Sequence, residues 1–199
     1  MSTRRDETRA RVLDAARSVL VERGYHGVGL EEVATAAGVS RQAVYQHHFR
    51  SKSELLLALV AHVDAVADVQ GLVAPVVAAP TAVDALDAMV AALATVDERI
   101  HDIAGLLAAV RVTDPGAEAA WQSRMTQRLG GARLVVQRLH REGRLAAGWT
   151  VPDAADFLFT ALSHATYQSL VLERGWPKKR YVRHLRRVLR ASLVKPRAR

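Results

Sequence analysis

Five of the seven residues in the run RQAVYQH, from Arg41 to His47, carry side chains that can donate hydrogen bonds: Arg41, Gln42, Tyr45, Gln46 and His47. An arginine can engage both acceptors on a guanine edge, and a glutamine can pair with adenine through two bonds. Tyr45 and His47 have the reach for phosphate oxygens, contacts that fix register without reading sequence. Lys52 would add positive charge at the start of the next helix, where free backbone N–H groups already favour a phosphate. A merely solvated helix face is the plain alternative, and it does not account for so many donors on so short a segment. The chemistry on offer is recognition of nucleic acid rather than bond-making. The chain has no cysteine, hence no thiolate nucleophile, thiolate metal site or disulfide. It has neither an HExxH motif nor a phosphate-binding glycine loop. Its carboxylates are scattered, and His47 and His48, being adjacent, would point in different directions on a helix. No catalytic residue, metal or cofactor is therefore expected, and an all-α enzyme is the remote alternative.

Short helices have to position these side chains. Val12, Ala15, Ala16, Val19 and Leu20 fall on one helical stripe that Gly24 closes. Leu30, Val33, Ala34 and Ala37 make a short second helix ending at Gly38, and Ser40 is a natural N-cap for a third. Two short helices about a glycine turn, at about residues 29–49, have the layout of a helix-turn-helix. Ser51 with Glu54 reads as a capping box, opening a fourth helix through Leu55, Leu56, Leu59, Val63 and Val66 to about Gln70. Gly71, Pro75 and Pro80 mark the best candidate for a boundary or hinge.

Beyond that point the pattern stays helical. Thr81 and Asp84 open a helix through Leu86, Met89, Val90, Leu93 and Val96, and another runs from about Arg99 to Val110. Asp114-Pro115 starts a helix to Leu139, with a kink expected at Gly130-Gly131. Thr150, Pro152 and Asp153 start one to Gly175, and Pro177 starts the last, ending near Val194. The expected fold is all-α, with about nine helices. It divides into an N-terminal three-helix domain over 4–66 and a C-terminal helical domain over 67–199.

Half of the 199 residues are hydrophobic and few are aromatic, which suits helices. No apolar run is long enough to span a bilayer, and the charged N-terminus lacks the apolar segment of a signal peptide. A cytoplasmic protein with no membrane partner is expected. The net charge of +8 is unevenly placed: +2 over residues 1–60, −4 over 61–135 and +10 over 136–199. The charge thus lies mostly away from the donor-rich helix and says little about where DNA would bind.

Residues 9–60 resemble the DNA-binding domain of the tetracycline-repressor (TetR) family of bacterial transcription regulators. The matching pieces are VLDAARSVLVERGY at 12–25, LEEVATAAGVS at 30–40, VY at 44–45, and HF-R-S-K at 48–52 followed by ELLLALV. In the family's pattern Arg41, Gln42, Ala43, Tyr45 and His47 would face DNA, with Lys52 on the backbone. Ser40 and Gln46 complete the DNA-binding set. One extra residue stands between Tyr45 and His48-Phe49, rotating the downstream positions by roughly 100° on a helix. Either the third helix ends differently, or His48 rather than His47 takes the phosphate-contacting place. Gly29 stands where the family often has a hydroxyl residue. The resemblance implies a homodimer on double-stranded, palindromic operator DNA, a repressor released by a small molecule. A regulator controlled by a protein partner, or a constitutive one, is the alternative.

Ligand-binding candidates are the large amphipathic residues at inward positions of the C-terminal part: His62, Met89, His101, Trp121, Met125, His164 and Tyr167. The plain reading of each is a core or surface group. The region offers few convergent charges, so an apolar or aromatic effector is expected, with Arg111 and Arg124 available to a carboxylate. A dimer stripe is expected on the last two helices, from Phe157, Leu158, Ala161, Leu162, Ala165, Ser169 and Leu170 with Tyr181, Leu185, Val188, Leu189 and Ser192. The ten basic residues from Lys178 to Arg199 read as a solvated face. Pairing with the acidic middle region, or salt-sensitive DNA affinity, are the other readings.

Overall fold

The computed structural model describes residues 4–196, with the side chains of all of these except Gln46 and His47. The described residues form helices α1 (Arg4–Arg23), α2 (Leu30–Ala36), α3 (Arg41–His47), α4 (Lys52–Val66), α5 (Val69–Ala78), α6 (Ala82–Val110), α7 (Pro115–Arg141), α8 (Val151–Ala161), α9 (His164–Tyr167) and α10 (Lys178–Leu193). The fold is all-α, and its one β feature among the described residues is an isolated bridge between Leu145 and Val194. Two compact units are present, one of Met1–Ala67 with Asp102–Ser123, the other of Asp68–His101 with Arg124–Arg199.

In the first unit, Val12, Leu13, Ala16 and Leu20 of α1 are buried with Leu30, Val33 and Ala34 of α2, Val44 of α3, Phe49, and Leu55, Leu56, Leu59 and Val63 of α4. Gly24 (φ +77°) and Gly38 (φ +65°) take left-handed backbone after α1 and α2, where a side chain would be strained. Ser40 and Ser51 act as N-caps, their hydroxyls accepting from the N–H of Ala43 and Glu54, each at 3.1 Å.

The second unit packs Leu86, Met89 and Val90 of α6 against Val135, Val136 and Leu139 of α7, Ala154, Ala155 and Leu158 of α8, and Leu189 and Leu193 of α10. The Trp149 indole donates to the Ser192 carbonyl at 2.8 Å, which ties the α7–α8 loop to the end of α10.

Three elements differ from the sequence-based expectation. The first break after α4 falls at Asp68, while of Gly71, Pro75 and Pro80 it is Pro80 that stands at a break, between α5 and α6. Asp68 takes a left-handed backbone (φ +50°) and its carboxylate accepts from the Gly71 N–H at 3.1 Å. It thereby starts α5, so Gly71 and Pro75 sit inside that helix. The two helices expected around residues 81–110 are one, because the charged run at 97–99 does not stop it. Asp97 is neutralised inside by Arg128, and Glu98 by Lys178. α7 runs from Pro115 to Arg141, close to the helix expected from Asp114-Pro115 to Leu139. A Cβ at Gly131 would lie 3.3 Å from the Met89 methyl, so glycine permits a close approach there. The helix expected to reach Gly175 stops at Ala161. The Ser163 hydroxyl caps the Thr166 N–H at 3.2 Å, Arg128 takes the Leu162 carbonyl, and the chain then widens into a π turn over Gln168–Glu173. Ser and Thr offer such local alternatives to the helical ladder.

A third of the expected dimer stripe is core of the same chain: Leu158, Leu162, Tyr181 and Leu189 are buried. Ala165 and Ser169 remain exposed, as do Leu172 and Val188, each at 46%. On α10 the charges divide. Lys178 pairs with Glu98, Arg190 with Asp87, and Arg186 donates to the Asp87 carbonyl at 3.0 and 3.1 Å. Lys179, Arg183 and Arg187 line an open groove of about 640 Å³. Pairing with the acidic middle region therefore holds for part of the basic segment.

Candidate nucleic-acid interface

α3 is anchored from below and open above. Val44 is fully buried, while Arg41, Gln42 and Tyr45 are exposed and Ala43 is half-buried. Ser40 is held at the helix start by its cap to Ala43. The Arg41 guanidinium lies 5.5 Å from the Tyr45 ring centre and 3.2 Å from Glu31. Both charges of that ion pair are well exposed, so it is worth at most ~1 kcal/mol and yields readily to a base or phosphate. Gln46 and His47 lie on α3, but their side chains fall outside the described residues.

The extra residue before Phe49 is absorbed at the helix end. The N–H groups of His48 and Phe49 both donate to the Val44 carbonyl, at 3.0 and 2.8 Å, so α3 closes at His47 and the chain turns inward. Phe49 is fully buried with the Arg9 guanidinium 4.5 Å over its ring, and Arg9 also donates to the His48 carbonyl at 3.2 Å. His48 is half-buried beneath this turn.

Lys52 is placed differently from a simple phosphate reach. Its ammonium lies 4.2 Å over the Tyr25 ring, and burial lowers its pKa from the usual lysine value, with Glu32 opposing. Gly29 starts α2 without a side-chain cap, and the Glu32 carboxylate accepts from the Gly29 N–H at 2.8 Å.

The sequence reads Asp114 only as a helix start, and the structure adds hydrogen bonds from other elements. Its Oδ1 accepts from the Ala117 N–H and the Ser53 hydroxyl, each at 2.9 Å. Its Oδ2 accepts from the Tyr25 hydroxyl at 2.8 Å. A Cβ at Gly116 would lie 2.5 Å from the Ser53 oxygen, so glycine lets the start of α7 sit against α4. Nearby, Arg17 of α1 grips Asp102 of α6 through two bonds of 2.8 and 2.9 Å. Burial and the Asp114 bond push the Tyr25 phenol well above its usual range. These ties run within the first unit and fix the helices that carry α3.

The seven ligand candidates are not gathered in one place. His62 is half-buried and bonded to Asp14 at 2.8 Å, and Trp121 lies 5.1 Å beneath the Arg111 guanidinium; both belong to the first unit. His101 is exposed, its ring 3.2 Å from the Glu98 carbonyl. Met125 is half-buried. Met89, His164 and Tyr167 lie in the interior of the second unit, where Arg128 meets Asp97 at 3.2 Å and His164 stands 3.6 Å from the same oxygen. Arg111 is bonded to Glu118 at 2.9 Å and is thereby engaged within the first unit.

Comparison with known proteins agrees with this geometry. Residues 12–59 match the family described as bacterial regulatory proteins, tetR family. Over 61 residues the chain is 54% identical to the HTH-type transcriptional activator FasR of Mycolicibacterium smegmatis, a match covering 30% of this chain and 27% of that protein. The chain thus spans about a quarter of that relative's length. The whole fold is similar to a transcriptional regulator of Saccharomonospora viridis in complex with choline, with a TM-score of 0.79 at 18% identity over 96% of this chain and 99% of the other. It is also similar to SmeT, the repressor of the Stenotrophomonas maltophilia multidrug efflux pump SmeDEF, in a complex with triclosan, with a TM-score of 0.75 at 23% identity over 96% and 93%. The two structural likenesses are of fold. The family match covers residues 12–59, the part of the chain that carries the helix-turn-helix geometry around α3.

Proposed function

We propose that the chain is a cytoplasmic transcriptional repressor that binds a palindromic operator as a homodimer and is released by a small molecule held in its second unit. The observation that carries the DNA part is α3, whose Arg41, Gln42 and Tyr45 stand exposed on a segment pinned by buried Val44 and Phe49. Arg41 or Gln42 would read base edges, and Tyr45 with His47 would hold phosphates. Two α3 helices of a dimer must match one turn of DNA, roughly 34 Å. Exposed Ala165, Ser169, Leu172 and Val188 support a close-packed pairing of helices near the C-terminus. Choline and triclosan in proteins of this fold support a ligand-responsive second unit, and α6 and α7 contribute residues to both units. An effector coupling of about 1–3 kcal/mol would change operator affinity some 5–150-fold.

Substitution on α3 tests the reading. Arg41→Ala is expected to weaken operator binding by about 1–3 kcal/mol and relax preference at one base pair. Tyr45→Ala is expected to weaken all sequences alike, by ~1 kcal/mol for one hydrogen bond. Fluorescence anisotropy on the operator and its single-base variants separates the two. Unchanged binding by both variants, folded and dimeric, would refute the assignment of α3.

A further inference from the structure

We propose that the effector of the second unit carries a hydrogen-bond donor, a hydroxyl or an amine on an apolar body, and that Asp97 accepts from it. This rests on the effector reading above and names the chemistry of its site. Asp97 is the buried charged residue among the described residues, 1% exposed in the middle of α6. Its Oδ1 accepts from Arg128 at 3.2 Å. Its Oδ2 has no hydrogen-bond partner among the described residues, and neither has Nδ1 of His164, which is nearly nine-tenths buried. A buried acceptor without a donor is costly, more so when charged, so Oδ2 is a point where a bound molecule gains by donating.

Room for the body of that molecule has to open by rearrangement of the surroundings. Arg128 also lines a narrow crevice of about 10 Å³ with Met89, Leu93, Ala132, Leu158, Phe159 and Leu162. Its walls can give. Met89 is an unbranched thioether that repacks easily. On the opposite side the helix is already interrupted, first at Leu162–Ser163 and then by the π turn, an irregularity that recurs at functional sites. The Tyr167 and Tyr181 rings meet edge to face with centres 5.4 Å apart. Burial, and then the Asp97 charge, push the Tyr181 phenol up, which puts those rings in the carboxylate's field.

The arrangement selects among head groups. A carboxylate would meet Asp97 as a like charge, and a wholly apolar molecule would leave Oδ2 as it is. A hydroxyl or ammonium donates to it. The sequence-based expectation of an apolar effector, argued from few convergent charges, changes accordingly, because Asp97, Arg128 and His164 do converge.

Four probes with one body test this: benzyl alcohol, benzylamine, benzoate and toluene, titrated calorimetrically into the full-length chain. The expected result is at least tenfold tighter binding of the alcohol and the amine than of benzoate and toluene, with the amine ahead of the alcohol because its positive charge meets the Asp97 carboxylate. In Asp97→Asn the advantage of the amine over the alcohol is expected to vanish, each affinity being measured below that variant's own melting temperature. Benzoate or toluene binding as tightly as the donors overturns the proposal while leaving a ligand-responsive unit in place. So does a head-group order unchanged in Asp97→Asn. Silence from all four, with operator binding equally unmoved by them, overturns the donor proposal and counts against the effector reading too. The comparison in the unsubstituted protein stands even if Asp97→Asn fails to fold.

Discussion

Arg128→Met is expected to destabilise the second unit by about 3–5 kcal/mol, because it leaves the Asp97 carboxylate buried without its cation. Asp97 is 1% exposed and the Arg128 side chain 17%, so water cannot replace the lost partner. The same guanidinium holds the Leu162 carbonyl at the end of α8, and that carbonyl is orphaned as well. The double variant Asp97→Leu with Arg128→Met removes both charges from the same space and is expected to recover most of the loss, since a buried pair exchanged for well-packed apolar residues is often close to neutral. Urea unfolding of the wild type, both single variants and the double variant yields the coupling between the two residues. A loss below about 1 kcal/mol for Arg128→Met would mean that water reaches the pair and that the interior of the second unit is not as described.

Asp114→Ala is expected to cost the first unit about 2–4 kcal/mol, since hydrogen bonds to a charged group and an N-cap are each worth more than about 1 kcal/mol. It strips the acceptor from the Tyr25 and Ser53 hydroxyls and from the first turn of α7. Tyr25 is only 9% exposed, so its hydroxyl would be left poorly solvated. Asp114→Asn, which keeps a capping oxygen, is expected to lose less. The pH dependence has a definite sign. Burial tends to raise the Asp114 pKa, but the bonds from Ala117, Tyr25, Ser53 and Gly116 outweigh it and hold it below the ordinary value of 3.8. A carboxylate depressed in the folded state contributes fully above its unfolded pKa and loses that contribution as pH falls through the folded one. The stability gap between wild type and Asp114→Ala is therefore expected to be constant from neutral pH to about pH 5 and to close only below the ordinary aspartate value. Thermal melts across that range read it directly, and a gap that widened on acidification would contradict the assigned hub.

Local signals in the sequence were good guides. Ser40, Ser51, Gly24 and Gly38 do what their types suggest, because caps and left-handed turns are decided within a few residues. Proline and glycine misled at the first boundary, since Asp68 could take the left-handed backbone and cap α5 by itself. Around Asp97 one helix continues where two were expected, and a remote arginine makes the internal carboxylate acceptable. Amphipathic stripes on α8 and α10 revealed that an apolar face is covered but not by what. Much of it is covered by the same chain. The pairs Arg17–Asp102, Tyr25–Asp114 and Asp97–Arg128 join residues far apart in sequence, and no spacing rule brings such partners together. The exposed donors Arg41, Gln42 and Tyr45 were legible for the opposite reason: α3 carries them on one short helix, and their exposure results from burying Val44.

The central claim is that α3 reads a specific, symmetric DNA sequence in a dimer. Selection of bound fragments from a pool of random duplexes tests it most directly. The account predicts an enriched palindrome with half-sites about one helical turn apart, lost in Arg41→Ala at one position of each half. Recovery of no preferred sequence, or of a single asymmetric site bound by one chain, would contradict it.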